Sequence, residues 1–179
     1  GTAEIAVISL GSIVSWESLR VAGDKFDQAI VDYVKKKHSL IIGPQTAEAA
    51  KISAGSALPM KEKLKCQIRG RDVVASMPRD LILTSNEIAE ALHPLLIDIA
   101  FAAQNVFNKT PPELVADVMG KGILVSGGGA KLRNLDEFFQ RVLRVPTYPA
   151  EEPLFCVARG TGLILNHIDI YKRTLLSKR

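Results

Sequence analysis

Cysteine is nearly absent from this chain, with two in 179 residues. Cys66 and Cys156 stand far apart in apolar or alternating segments, which excludes a disulfide framework and a zinc knuckle and predicts two buried free thiols in a reducing compartment. Histidine is also sparse, and His38, His93 and His167 are too dispersed to gather a metal ion. No run approaches the roughly 20 uninterrupted apolar residues of a spanning helix, and no charged region followed by an apolar core opens the N-terminus. The sequence therefore reads as cytoplasmic with no direct membrane segment, and Asn108-Lys109-Thr110 as a chance match to a glycosylation acceptor. A strong charge is missing too. The 23 basic and 19 acidic side chains leave a net charge of +4, and the cations are scattered except for Lys35-Lys36-Lys37 and the last few positions, which argues against a nucleic-acid partner. Aromatic residues are few, and Trp16 and the Phe138-Phe139 pair read as packing or a partner surface.

What is present is the composition of an ordinary globular protein, 47% hydrophobic, long enough for one good core or two small lobes. Residues 3–10 and 13–21 are β-rich runs parted by Gly11-Ser12, which predicts an antiparallel hairpin. From Asp24 to Lys37, Phe26, Ile30, Tyr33 and Val34 recur at helical spacing, with lysines at the C-terminal end where the dipole favours cations. Gly43-Pro44 breaks that pattern, and a shorter helix is predicted over 46–54. A small β-meander covers 64–83. Thr84 and Glu87 have the spacing of a capping box opening a long helix with Ile88, Leu92, Leu95, Leu96, Ile99, Ala103 and Val106 on one face. Pro94 inside it predicts a kink or a delayed start. Pro111-Pro112 opens a short helix to about Met119. After a strand at 122–126, Asn134 and Glu137 predict a second capping box before Leu135, Phe138, Phe139 and Val142. A strand near 146–148 and a last helix from Leu154 to about Lys172, interrupted at Gly160-Thr161-Gly162, complete a mixed α and β order.

The most informative stretch is Gly127-Gly128-Gly129, between the strand at 122–126 and an amphipathic segment. Three glycines there let backbone amides approach a flat or anionic ligand with no side chain in the way. The spacing matches neither the dinucleotide fingerprint nor the P-loop, so a nucleotide contact and a tight structural turn both stand from these residues alone.

Many ordered segments resemble the MreB family of bacterial actin-like proteins. They include residues 1–10, Arg20 to Asp27, Thr46-Ala47-Glu48 with Lys51-Ile52, Arg69-Gly70-Arg71-Asp72, Pro111-Pro112-Glu113-Leu114, Ser126 to Ala130 and Cys156 to Gly162. The resemblance implies an α/β fold, an actin-like (ribonuclease H-like) lobe with a five-stranded mixed sheet plus helices and a small α+β subdomain inserted. Residues 1–22 and 108–179 would form the core subdomain and 23–107 the inserted one. Members bind ATP with magnesium, assemble into filaments that organise cell-wall synthesis and rod shape, and dock a RodZ-like membrane adaptor at the inner face of the cell membrane.

The same resemblance carries over a nucleotide site. Gly1 and Thr2 match the end of a phosphate loop, and Glu48, Ala49, Ala50 and Lys51 match the segment flanking the nucleoside, with Glu48 toward the ribose hydroxyls and Lys51 along the adenine edge. Without the resemblance, Glu48 and Lys51 read as an exposed helix pair. Gly128, Gly129, Ala130 and Lys131 match the adenosine loop, with Ser126 where threonine is usual. Ala22 replaces a family glycine and would carry strain if the position needs positive φ; Asp24 reads as ribose contact or helix cap. No catalytic or metal-binding residue is assigned. The first phosphate loop and the acid that orients water are not among the matched segments, so this chain is expected to be inactive alone. One lobe of a sugar kinase or a heat-shock chaperone ATPase is the alternative, though neither is expected to carry Arg69-Gly70-Arg71-Asp72 or Pro111-Pro112-Glu113-Leu114.

Overall fold

A computed structural model describes residues 1–169 and 171. The chain opens with an antiparallel hairpin of β1 (Ala3–Ser9) and β2 (Ser12–Leu19), turned through Leu10 and Gly11 in left-handed conformations. Alternation along the strands sends Val7 and Ser15 inward and leaves Ala6, Ile8 and Trp16 on the outer face. Trp16 is thus surface, not packing. On the inner face the Ser15 and Thr110 hydroxyls meet at 2.5 Å, and Thr110 donates to the Val106 carbonyl. That burial shuts the hydroxyl of the chance acceptor tripeptide away from solvent.

Helix α1 (Gly23–His38) buries Phe26, Ile30 and Val34 at the expected spacing. Its N-cap is Ala22, in extended backbone with φ −158, so the alanine carries no strain. Asp24 makes no cap bond and lies in the first turn, where its charge suits the helix dipole. Strand β3 (Leu40–Ile41), β4 (Lys65–Asp72) and β5 (Pro78–Thr84) form an antiparallel sheet in the order β3-β4-β5. Helix α2 (Pro44–Ala54) starts two residues earlier than expected, because Pro44 fits the first helical turn, where no N–H is needed.

The capping box at α3 (Ser85–Asn108) forms as expected. The Thr84 hydroxyl accepts from the Glu87 N–H, and the Glu87 carboxylate accepts from the Thr84 N–H at 3.0 Å. Pro94 lies within α3 without ending it; Leu92, Leu96 and Ala100, all buried, hold the helix to the core on either side. Leu83, Ile88, Phe138 and the buried residues of α1 complete that core.

Helix α4 (Pro112–Lys121), β6 (Ile123–Val125), α5 (Leu135–Leu143), β7 (Thr147–Pro149) and α6 (Cys156–Asn166) follow. The second capping box does not form. Asn134 is left-handed, its side chain turns to Ser56, and Glu137 pairs with Arg141. Helix α6 runs through Gly160-Thr161-Gly162, where the Thr161 hydroxyl donates back to the Val157 carbonyl. Its expected continuation to Lys172, like the expected core segment up to 179, ends outside the described residues. Both thiols are free and half-buried, not buried. The seven strands of the described residues form sheets of two, three and two strands. No single five-stranded mixed sheet is formed among the described residues: outside the β3-β4-β5 sheet stand an antiparallel pair, β1-β2, and a parallel pair, β6-β7, and no ladder joins the two pairs.

Candidate nucleotide-binding site

Helix α2 presents two faces. Ala47, Ala50 and Ala54 are buried, and their small side chains let α2 lie close to α1. Ala50 therefore packs inward and is not free to touch a ligand, whereas Glu48 and Ala49 face solvent. Lys51 sits at the boundary between the faces. Its ammonium does not pair with Glu48, as helical spacing alone allows; it reaches α1, where Nζ lies 2.7 Å from Asp27 Oδ1 and 3.4 Å from the Gly23 carbonyl. The Asp27 contact is short but not aligned as a hydrogen bond, so the attraction is one of charge. Only 17% of the Lys51 side chain and 11% of the Asp27 side chain are exposed.

The glycine triplet follows β6. Gly127 is left-handed at φ +83 and donates to the Pro153 carbonyl at 2.8 Å, and residues Gly128–Lys131 then make one turn of 3-10 helix. The segment is a tight turn, one of the two alternatives left by the sequence, and its backbone is open. A Cβ at Gly127 or Gly129 would meet nothing within 4 Å. The N–H groups of Gly128 and Gly129, first in the turn, have no acceptor inside it. Lys131 is exposed and Ala130 partly so.

A joint holds this turn to α2. Residues 56 and 133 form a parallel β-bridge, and the Ala57 N–H donates to the Arg133 carbonyl at 2.8 Å. Asn134 Nδ2 donates to the Ser56 hydroxyl at 3.0 Å, and that hydroxyl donates to the Leu58 carbonyl at 2.7 Å. Arg133 Nη1 donates to the carbonyls of Gly55 at 3.2 Å and Ile52 at 3.4 Å. The chain comes so close here that a Cβ on Gly55 would lie 2.2 Å from the Lys51 carbonyl oxygen and 3.0 Å from Leu132 Cδ1, so only glycine fits.

Gly1 and Thr2 border an open depression of ≈ 570 Å³ with Arg20, Asp24, Lys25 and Gln28. Gly1 sits against the start of α1, where a Cβ on Gly1 would lie 3.0 Å from the Ala22 Cβ, and the same helix end offers the Gly23 carbonyl to Lys51. The structure therefore links the three expected segments through successive contacts: residues 1–2 to the start of α1, that start to Lys51, and the end of α2 to the glycine turn. Reasoning from sequence missed Asp27, Gly55, Ser56 and Arg133. A weak signal for the joint exists in Gly55-Ser56-Ala57, a run of small residues at a helix end, but it reads as a simple stop. No cluster of His, Cys, Asp or Glu able to hold a metal ion occurs among the described residues.

The family model described as MreB/Mbl protein matches residues 1–173. The chain is 44% identical over 177 residues to the cell shape-determining protein Mbl of Bacillus subtilis, covering 99% of this chain and 53% of that protein. It is 43% identical over 178 residues to the cell shape-determining protein MreB of Escherichia coli, covering 99% and 51%. The chain thus spans about half the length of these curated relatives. Among solved structures, MreB5 of Spiroplasma citri bound to ADP superposes with a TM-score of 0.91 at 36% identity, over 98% of this chain and 52% of that one. The fold is actin-like, and the chain belongs to the MreB/Mbl family.

Proposed function

We propose that this chain supplies the nucleoside-holding part of an ATP-binding, filament-forming protein that determines cell shape. The observation that carries the reading is the joining, through Arg133, of the end of α2, the helix that bears the exposed Glu48, to the segment that follows the open glycine turn, in a chain that superposes on a relative solved with ADP. The backbone left bare at Gly127 and Gly129 fits a flat base, and the amides of Gly128 and Gly129, which have no acceptor inside the turn, fit an electron-rich ligand atom. Glu48 accepts from ribose hydroxyls, Lys51 stands beside the purine with its ammonium fixed by Asp27, and Gly129, Ala130 and Lys131 form the opposite wall. Ala49 is exposed next to Glu48, and Ala50 contributes by packing. The depression beside Gly1 and Thr2, with Arg20 and Lys25 on its rim, takes the phosphates. Magnesium, carried with ATP in the family, is given no ligand by these residues, and no hydrolytic step is assigned to the chain. We divide the chain into a core subdomain of 1–22 and 108–179 and an inserted one of 23–107. Filament formation, a RodZ-like adaptor on the core subdomain and a place at the inner face of the membrane belong to the same proposal.

Calorimetric titration of the chain with ADP tests the nucleotide reading. Saturable binding that weakens on Glu48→Ala is expected, and no binding at millimolar ADP overturns it. For the filament reading, the chain is exchanged for the matching half of the Bacillus subtilis relative. The chimera is expected to sediment with ATP, and a chimera that folds but stays in the supernatant refutes the assignment.

A further inference from the structure

We propose that Arg133 is a positioning residue for this site, setting the separation of its two walls without touching the nucleotide. The inference rests on the nucleotide reading above. The last carbonyls of any α-helix lack N–H partners within the helix, and cations near them are favoured. In α2 the only basic residue of the last turn is Lys51, and its ammonium is drawn to the other end of the contact chain, onto Asp27 and the Gly23 carbonyl. The cation that serves the α2 terminus comes from a distant segment: Arg133 Nη1 reaches the carbonyls of Ile52 and Gly55.

Arg133 also follows the glycine turn by two residues, so one side chain caps the wall that bears Glu48 while its own backbone carries the other wall. The bridge between 56 and 133, the Ala57 N–H on the Arg133 carbonyl, and the Asn134 bond to the fully buried Ser56 hold the backbone side of the same joint. Both bonds are donated by Nη1, which stands one bond farther from Cα than a lysine Nζ does, so an ammonium reaches these two carbonyls less well. Loss of the guanidinium frees the end of α2 to shift against the turn, so the base fits less well between them.

The test is titration of the wild-type chain, Arg133→Met and Arg133→Lys with ADP and with adenosine, well below the melting temperature of each. Removing this largely exposed cap, of which only the Gly55 contact is half-buried, is expected to weaken both ligands by roughly two- to fivefold and by the same factor, because adenosine meets only the two walls. The lysine variant, which keeps the charge but not the reach of Nη1, is expected between methionine and wild type. Should the methionine variant fail to fold, the lysine variant decides alone: adenosine affinity equal to wild type overturns the inference. A loss confined to ADP, or a fall in melting temperature with unchanged affinities, also overturns it, since a purely structural residue would behave in the second way. A wild-type chain that binds neither ligand defeats the nucleotide reading and this inference with it, whereas wild-type binding with unaltered variants defeats the inference alone.

Discussion

Replacing Lys51 with methionine isolates the charge pair that ties α2 to α1. Methionine keeps most of the stem and its packing but leaves the Asp27 carboxylate, 11% exposed, without the ammonium 2.7 Å away. Asp27 Oδ1 has no hydrogen-bond partner to fall back on. Removing one member of a buried pair costs roughly 3–5 kcal/mol, because the remaining charge stays desolvated. Lys51, at 17% exposure, lets some water reach the pair, so the expected loss is at the lower end, about 3 kcal/mol. For a chain of this size that corresponds to a fall of about 6–12 °C in melting temperature. The double variant Asp27→Asn, Lys51→Met removes both desolvation penalties and is expected to recover to within about 1 kcal/mol of wild type. Urea unfolding at pH 7 followed by far-UV circular dichroism measures all the variants with one linear extrapolation. A single variant within about 0.5 kcal/mol of wild type, or a double variant no more stable than the single, refutes the argument that the pair is energetically buried.

Phe138→Ala empties the centre of the core, where Phe138 is 1% exposed and meets Phe139 and His93 edge to face; a loss of about 3–5 kcal/mol in the same urea assay is expected. Thr84→Ala removes half of the α3 capping box and should cost about 0.5–2 kcal/mol, with amide exchange in the first turn of α3 rising before that of its middle. Burial pushes the Glu87 carboxyl up, but its hydrogen bonds with Thr84 and His38 outweigh that and hold it below its ordinary value. Asp72 is also held below the usual carboxylate range, by the N–H groups of Ala75 and Val74 and then by Arg79. The stability Asp72 contributes is therefore present above its unfolded pKa and is lost as pH falls through its folded one. Asp72→Asn should accordingly be less stable than wild type near pH 6, with the gap closing toward pH 2; a gap independent of pH would show that the charge on Asp72 plays no part.

Which features could be read from the sequence depended on how far apart along the chain the causes lie. Helices α1, α3 and α5 were legible because their buried residues, such as Phe26, Ile30 and Val34, recur at the helical period within a single segment. The Thr84 cap was legible for the same reason, since donor and acceptor are three residues apart. Asn134 and Glu137 have the same spacing, yet no box forms there, because Ser56 from a distant segment takes the Asn134 side chain. Local spacing cannot register such competition.

The candidate site shows the same division at closer range. Glu48 and Lys51 lie on one helix at a spacing that permits a pair, but Asp27 is a nearly buried competitor, and a charge held out of water binds its partner more strongly than an exposed one does. Within its own segment Asp27 reads as a surface charge; its role arises only when α1 and α2 pack through Ala47 and Ala50, and that closeness is set by small residues rather than by polar ones. Arg133 is similar. Beside the glycines it reads as a solvated cation, and it becomes a helix cap because α2 ends at Gly55, where a Cβ would strike the Lys51 carbonyl of the helix's own last turn and crowd Leu132. The residues proposed for the walls are recognised because their segments resemble the family's, whereas Asp27 and Arg133, which hold α2 to α1 and to the segment after the glycine turn, gain that place only through the packing of α2 against its neighbours.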